Sequence, residues 1–222
     1  MPKRTDPDPG AGHPPPADIE SANLITTRAP TLTWWRNAHR TSPSPLEFSN
    51  AKGRFSGPSL PKRVLYLAED PTACFWECGL GRDLLKRSLG AREVTRAELM
   101  DRMEYRVGLR TAALRLFDTT NPAACRKIGA STVACFTGDH AISRSWAAAL
   151  MGDWARLDGL IYRSARHSSS LCLALFETDA SLGAPKVPTK AVRSSWQNHG
   201  LLASLLAEGV TGFDTTTKHR GR

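Results

Sequence analysis

The chain has 222 residues and a formal charge of +9, from 30 Lys and Arg against 21 Asp and Glu. That length suits one domain with a real core plus tails, and no apolar run approaches a membrane span. No basic start leads into a signal-like apolar stretch, so the expected compartment is the cytoplasm.

Residues 1–30 are rich in Pro, Gly and polar side chains, with almost no apolar periodicity, and read as a disordered leader in which nothing packs. Residues 31–210 read as the folded domain and 211–222 as a basic, flexible tail. The stretch TLTWWRNAHR, from Thr31 to Arg40, reads as a strand with Arg36 at its centre, followed by a loop. Gly53 to Pro58, GRFSGP, is turn-rich, and Arg63 to Ala68, RVLYLA, is a strand by its β-branched, aromatic and leucine content. Asp70-Pro71 then starts a helix: Asp accepts orphan N–H groups, and Pro at the first helical position lacks a donor that would be unpaired anyway. This helix is expected to run to about Arg87 or Ser88, with Glu77 about two turns in.

A short helix or turn is expected at Arg96 to Met103, then strands around Tyr105 to Leu109 and Leu114 to Phe117. NPAACRKIGAST reads as a short helix. His140 to Leu157 is a stronger one, because Ile142, Trp146, Leu150 and Trp154 recur at close to helical spacing. DGLIYRSARHSSSLCLALFE is strand, polar turn, strand, and the end, from about Ala191 to Glu208, looks helical at SSWQNHGLLASLLAE. Strands and helices do not alternate regularly, which argues for an α+β fold.

The five cysteines Cys74, Cys78, Cys125, Cys135 and Cys172 contain no C-x-x-C pair, and no neighbouring His completes a ligand set. Buried thiols fit better than a disulfide framework or a metal site. The basic residues are spread out, with small groups at Lys86-Arg87, Arg126-Lys127 and the terminal TKHRGR. That spread suits a solvated surface better than a nucleic-acid footprint. Dinucleotide-turn, phosphate-loop, metal-helix and nucleophile-elbow motifs are all missing. What recurs is Arg, Tyr, Glu and Ser at strand ends. That set can grip a phosphorylated sugar through guanidinium forks, an aromatic face, a carboxylate and a hydroxyl.

GRFSGPSLPKRVLYLAEDPTACFWE, from Gly53 to Glu77, resembles the core signature of RES domains, named for an Arg, a Glu and a Ser. In that family a Gly-Gly-Arg-Trp-Asn-like loop precedes an L-Y-L strand and a helix ending in Glu. Arg36 in WWRNAHR matches the first-strand Arg, Glu77 the helix Glu, and Ser164 in DGLIYRSAR the Ser; Arg54 and Tyr66 match two further pocket residues. The resemblance spans about residues 30–180. Phe55, Ser56 and Arg163 stand where the family has Trp, Asn and Pro, and the long spacing from Glu77 to Ser164 suggests an insertion near residues 88–130.

The resemblance implies an ADP-ribosyltransferase-like fold, two small β-sheets forming an NAD cleft with flanking helices. It implies a toxin that consumes NAD+ by phosphorolysis or hydrolysis of the nicotinamide bond, with inorganic phosphate as a candidate co-substrate and no metal. Protein ADP-ribosylation is the alternative activity, and a non-enzymatic basic module binding nucleic acid or a protein is the alternative class. The expected partner is an antitoxin of the Xre-like DNA-binding type. The implied roles are Glu77 stabilising the ribosyl cation, Arg36 and Arg54 holding pyrophosphate or phosphate, Tyr66 stacking on or orienting nicotinamide, and Ser164 bonding the amide or ribose. All five are expected to converge on one cleft. On residue type alone, Arg36 also suits a cation–π contact, Arg54 a turn cap, Tyr66 a core aromatic, Glu77 a solvated helix position and Ser164 a turn. His39, His140 and His167 read as surface or turn histidines.

Overall fold

A computed structural model gives the fold, and it describes residues 15, 19, 24–27, 33–110, 114–131, 135–136, 139–152, 156–165, 167, 170–186 and 191–213. In chain order the elements begin with β1 (Thr26–Thr27), β2 (Trp34–His39), β3 (Val64–Ala68), α1 (Pro71–Glu77) and α2 (Gly79–Lys86). A 3-10 turn (Leu89–Ala91), α3 (Arg96–Met100), β4 (Arg102–Leu109), β5 (Leu116–Asp118), α4 (Pro122–Lys127) and α5 (His140–Leu150) follow. The chain continues with β6 (Gly159–Arg163), β7 (Leu171–Phe176), α6 (Asp179–Gly183), β8 (Pro185–Lys186), β9 (Arg193–Ser194), a 3-10 turn (Ser195–Gln197) and α7 (His199–Ala207).

The fold is mixed α+β, as the sequence suggests. The sequence VLYLA leaves β3 buried on almost every residue, so it is an interior strand with both edges paired. The chain divides into two compact units, one of residues 1–32, 48–66 and 109–186, the other of 33–47, 67–108 and 187–222.

In the first unit the strand order is β1-β5-β6-β7-β3. β6 is parallel to β5 and antiparallel to β7, which places the apolar run LCLALF in the interior. Phe136 sits at the centre of an aromatic core, with ring centroids 6.1 Å from Phe117, 5.9 Å from Trp146 and 6.5 Å from Phe55. Burying each such ring stabilises the unit by roughly 2 kcal/mol. Of the segment read as a leader, Ile19 and Leu24 are buried, and Thr26–Thr27 pair antiparallel with β5. These residues belong to the unit's core and sheet; Pro15 and Ile25 are the other described positions, and the rest of 1–30 lies outside the described residues. The described residues between 88 and 130 include β4, β5 and the buried Val107, Leu116, Phe117 and Cys125.

In the second unit the order is β3-β2-β4, with β9 on β4. The helix expected from Pro71 to Arg87 is two helices. Cys78 takes an extended conformation (φ −78°, ψ 169°) and ends α1 directly after Glu77. Gly81 allows the second helix to pack tightly, because a Cβ there would lie 2.3 Å from the Phe75 carbonyl oxygen. The segment 191–208 is likewise only partly helical, with α7 preceded by β9 and a 3-10 turn. Phe75, Trp76, Leu84, Val94, Leu99, Leu201, Leu205, Val210 and Phe213 form this unit's apolar core. Phe213 and the Thr211 backbone, bonded to Arg92 and Val94, therefore extend the packed chain past residue 210; residues 214–222 lie outside the described residues.

Among the described residues of this unit one carboxylate is buried. Glu104 is 1% exposed and accepts from Arg193 Nε at 2.8 Å and from Asn198 Nδ2 at 2.8 Å. Asn198 Oδ1 also caps α7 by accepting from Leu201 N, so a single amide ties α7 to β4. Arg193→Met is expected to destabilise the protein by about 3 kcal/mol in urea unfolding, because it leaves a buried charge without its cation. Adding Glu104→Gln to that variant is expected to restore much of the loss.

Candidate functional site

Arg36 and Glu77 belong to the second unit, and Arg54, Tyr66 and Ser164 to the first. Each group is built by different local structure.

Arg36 lies mid-strand in β2, which pairs along β4 from Trp34↔Val107 to His39↔Arg102. Its side chain is half-buried, and Nε donates to the Pro45 carbonyl at 3.1 Å. Burial holds the guanidinium below the ordinary arginine value. A partly desolvated cation of this kind gains from a nearby anion. Glu77 is the last residue of α1, half-buried, and α1 packs on β2. The sequence reading of this helix start holds: Asp70 Oδ1 accepts from Ala73 N at 2.9 Å, with Pro71 behind it.

The packing of α1 on β2 is fixed by a thiol. Register pairs β2 with β3 at Trp35↔Ala68. Beyond that point Cys74 Sγ serves as the strand's partner, donating to the Trp35 carbonyl at 3.2 Å and accepting from Asn37 N at 3.1 Å. Burial pushes this thiol up to about 12, so it stays protonated and is a hydrogen-bonding group rather than a nucleophile. All five cysteines are free thiols.

In the first unit, Arg54 is 9% exposed and its Nη1 donates to the Phe136 carbonyl at 3.3 Å. Phe55 fills the position of the family's Trp. It is fully buried and meets Tyr162 edge-on at 5.0 Å between centroids. Tyr66 is half-buried, and its hydroxyl accepts from Phe55 N at 2.9 Å and donates to Ser56 Oγ at 3.1 Å. Hence the Arg54 loop, Tyr66 and the strand that leads to Ser164 are brought together.

Ser164 is buried just after β6. Its N–H donates to the Ser170 carbonyl, and its Oγ accepts from His167 N at 3.0 Å. His167 is a turn histidine, with Nδ1 2.8 Å from Ser170 Oγ. Arg163, in place of the family's Pro, is exposed while Ser164 is buried. The preceding Asp-Gly is structural: Asp158 accepts from Arg115 N and Thr178 Oγ1, and a Cβ on Gly159 would lie 2.5 Å from the Ala174 carbonyl oxygen. The sequence reading misses Arg144 of α5, whose Nη1 donates to the Gly53 carbonyl at 3.1 Å. Only its spacing on the helix face could have marked it, and surface arginines share that spacing. Among the described residues, no three His, Cys, Asp or Glu side chains gather where they could hold a metal ion.

The RES domain family model matches residues 28–197. The chain belongs to the RES domain family. A chain of the crystal structure of the M. tuberculosis MbcT-MbcA toxin-antitoxin complex is similar in fold to this RES protein, with a TM-score of 0.56 and 16% sequence identity. The alignment covers 82% of this chain and 93% of that one. No curated protein matches in sequence. Among the described residues, no helix is long and apolar enough to cross a membrane.

Cys74→Ala leaves the buried Asn37 N–H and Trp35 C=O without their partner. It is expected to cost about 1–3 kcal/mol in urea unfolding. Cys74→Ser, which keeps a donor and an acceptor, is expected to cost less.

Proposed function

We propose that this RES domain is the toxin of a toxin–antitoxin pair and consumes NAD+ by cleaving the nicotinamide–ribose bond. Phosphorolysis or hydrolysis is favoured over transfer of ADP-ribose to a protein. The observation that carries this reading is the setting of the family residues in a match spanning 28–197. A partly desolvated Arg36 sits on a strand packed by the helix that ends in Glu77, and a buried Arg54 sits on a loop held by Tyr66. The likeness in fold to a chain of a toxin–antitoxin complex supports it. An ADP-ribosyltransferase-like arrangement and a cytoplasmic location belong to the same proposal.

In this mechanism Arg36 and Arg54 bind pyrophosphate oxygens, or inorganic phosphate as co-substrate, by charge-assisted hydrogen bonds. Tyr66 acts on the nicotinamide side by fixing the loop that carries Arg54, and Ser164 bonds the nicotinamide amide or the ribose. The bond from ribose C1′ to the pyridinium nitrogen breaks, and its electron pair leaves with neutral nicotinamide. The Glu77 carboxylate stabilises the oxocarbenium-like ribose more than it does the ground state. Water or a phosphate oxygen then bonds to C1′, and water gives up a proton as it does so. The antitoxin, of the Xre-like DNA-binding type, silences the enzyme with a carboxylate-bearing segment that pairs with Arg36 or Arg54.

The test is chromatographic resolution of nicotinamide and ADP-ribose products from purified protein and NAD+, with and without phosphate. Glu77→Gln keeps size but removes the charge, and it is expected to lower kcat about a hundredfold, roughly 3 kcal/mol, with little change in KM. Arg36→Ala is expected to raise KM first, because a pyrophosphate grip acts in the ground state too. Near-normal turnover by Glu77→Gln would remove the carboxylate from its role. Label transferred from NAD+ to protein would favour ADP-ribosylation.

A further inference from the structure

We infer that Tyr66 and Arg144 are positioning residues that clamp the Gly53–Gly57 loop, so that Arg54 meets its anion in one geometry and Tyr66 acts through its hydroxyl rather than its ring. The inference rests on the reading above only for what Arg54 holds.

A guanidinium on a strand or helix inherits the stiffness of that element, but one on a loop needs the loop itself fixed. Here the hydrogen bonds form a directional chain. Phe55 N–H donates to Tyr66 Oη at 2.9 Å, Tyr66 O–H donates to Ser56 Oγ at 3.1 Å, and Ser56 O–H donates to the Ala51 carbonyl at 2.7 Å. Along this chain each hydroxyl gives its single proton to the next oxygen and accepts from the group before it. The chain starts and ends on loop backbone, and the phenol of β3 lies in its middle.

Arg144 completes the clamp. Its Nη1 donates to the Gly53 carbonyl, while Gly53 N donates to the Ser56 carbonyl at 2.9 Å. Its stem runs beside the loop, with Cδ 3.4 Å from where a Cβ on Gly57 would sit. The backbone groups on both sides of Arg54 are thus tied, and Phe55 anchors the loop in the aromatic core. The phenolic oxygen is committed to the loop through two bonds.

The test compares Tyr66→Phe, Ser56→Ala, Arg144→Met and Arg144→Lys by amide hydrogen exchange of residues 53–57 and by NAD+ kinetics. Tyr66→Phe keeps the ring and removes only the hydroxyl. It is expected to speed exchange of the Phe55 amide at least tenfold and to raise KM for NAD+ about tenfold with kcat little changed, the pattern of lost ground-state binding. Ser56→Ala breaks the same chain one bond further on and is expected to match it, which keeps the test open should one variant fold poorly. Arg144→Met is expected to act in the same direction and Arg144→Lys to retain most of the binding. The double variant Tyr66→Phe/Arg144→Met is expected to lose less than the product of the single losses, since both act through one loop. Wild-type exchange and KM in Tyr66→Phe, with binding lost in Tyr66→Leu, would make the ring the functional part and overturn the clamp. If the wild-type protein neither binds nor consumes NAD+, the proposed function fails, while the exchange measurement still decides the clamp.

Discussion

Strand β2 is paired along its whole length with β4, but β3 supplies a register partner on the other edge at Trp35. A buried strand edge cannot leave its N–H and C=O groups unmet. The Cys74 thiol meets them, bonding Trp35 O and Asn37 N. It can do so because the chain leaves β3 at Ala68, caps a helix at Asp70 and so returns α1 along the edge that β3 vacates. Arg36 lies between the two bonded strand residues, and Glu77 lies three residues beyond the thiol. The same local economy that closes the sheet edge thus sets the strand with the cation and the helix with the carboxylate in one packing arrangement.

Arg36 and Arg54 differ in how they are held. Arg36 gains its rigidity from a strand flanked by β4 and α1, and the buried Glu104 extends that support, since it joins β4 to β9 and to the cap of α7, which packs on α1. Arg54 has no regular element beneath it and depends on a hydroxyl chain and a second guanidinium. A site built on rigid elements and a site built on a clamped loop respond differently to substitution. The first loses stability when its support is cut, whereas the second loses the placement of its guanidinium while the core remains.

Much of the fold is legible in local sequence. The strands around Arg36 and Tyr66, the Asp70-Pro71 start and the amphipathic α5 come from alternation, capping chemistry and helical spacing. The break at Cys78 is hidden because Leu84 and Leu85 continue an apolar helical pattern past it, and only the structure shows the extended Cys78 and the close packing of Gly81 on the Phe75 carbonyl that follows. Thr26–Thr27 cannot be seen as a strand, because two polar residues become one only by pairing with Phe117 and Leu116. The stretch from Ser194 to Gln197 looks like the start of α7 until Ser194 is found paired with Met103 on β4, next to Arg193 opposite Glu104.

For the site, residue types and their order carried the family resemblance, since Arg36, Arg54, Tyr66, Glu77 and Ser164 each sit in a short motif that the chain preserves. Sequence by itself determined those identities, the α+β class and the local caps, because each depends on neighbours a few positions away. Only the tertiary structure decided that Cys74 is a backbone partner, that Glu104 is a buried charge and that Arg144 reaches Gly53. Their partners lie 37, 89 and 91 positions away in the chain, and no periodicity or spacing encodes which distant donor a buried acceptor will meet.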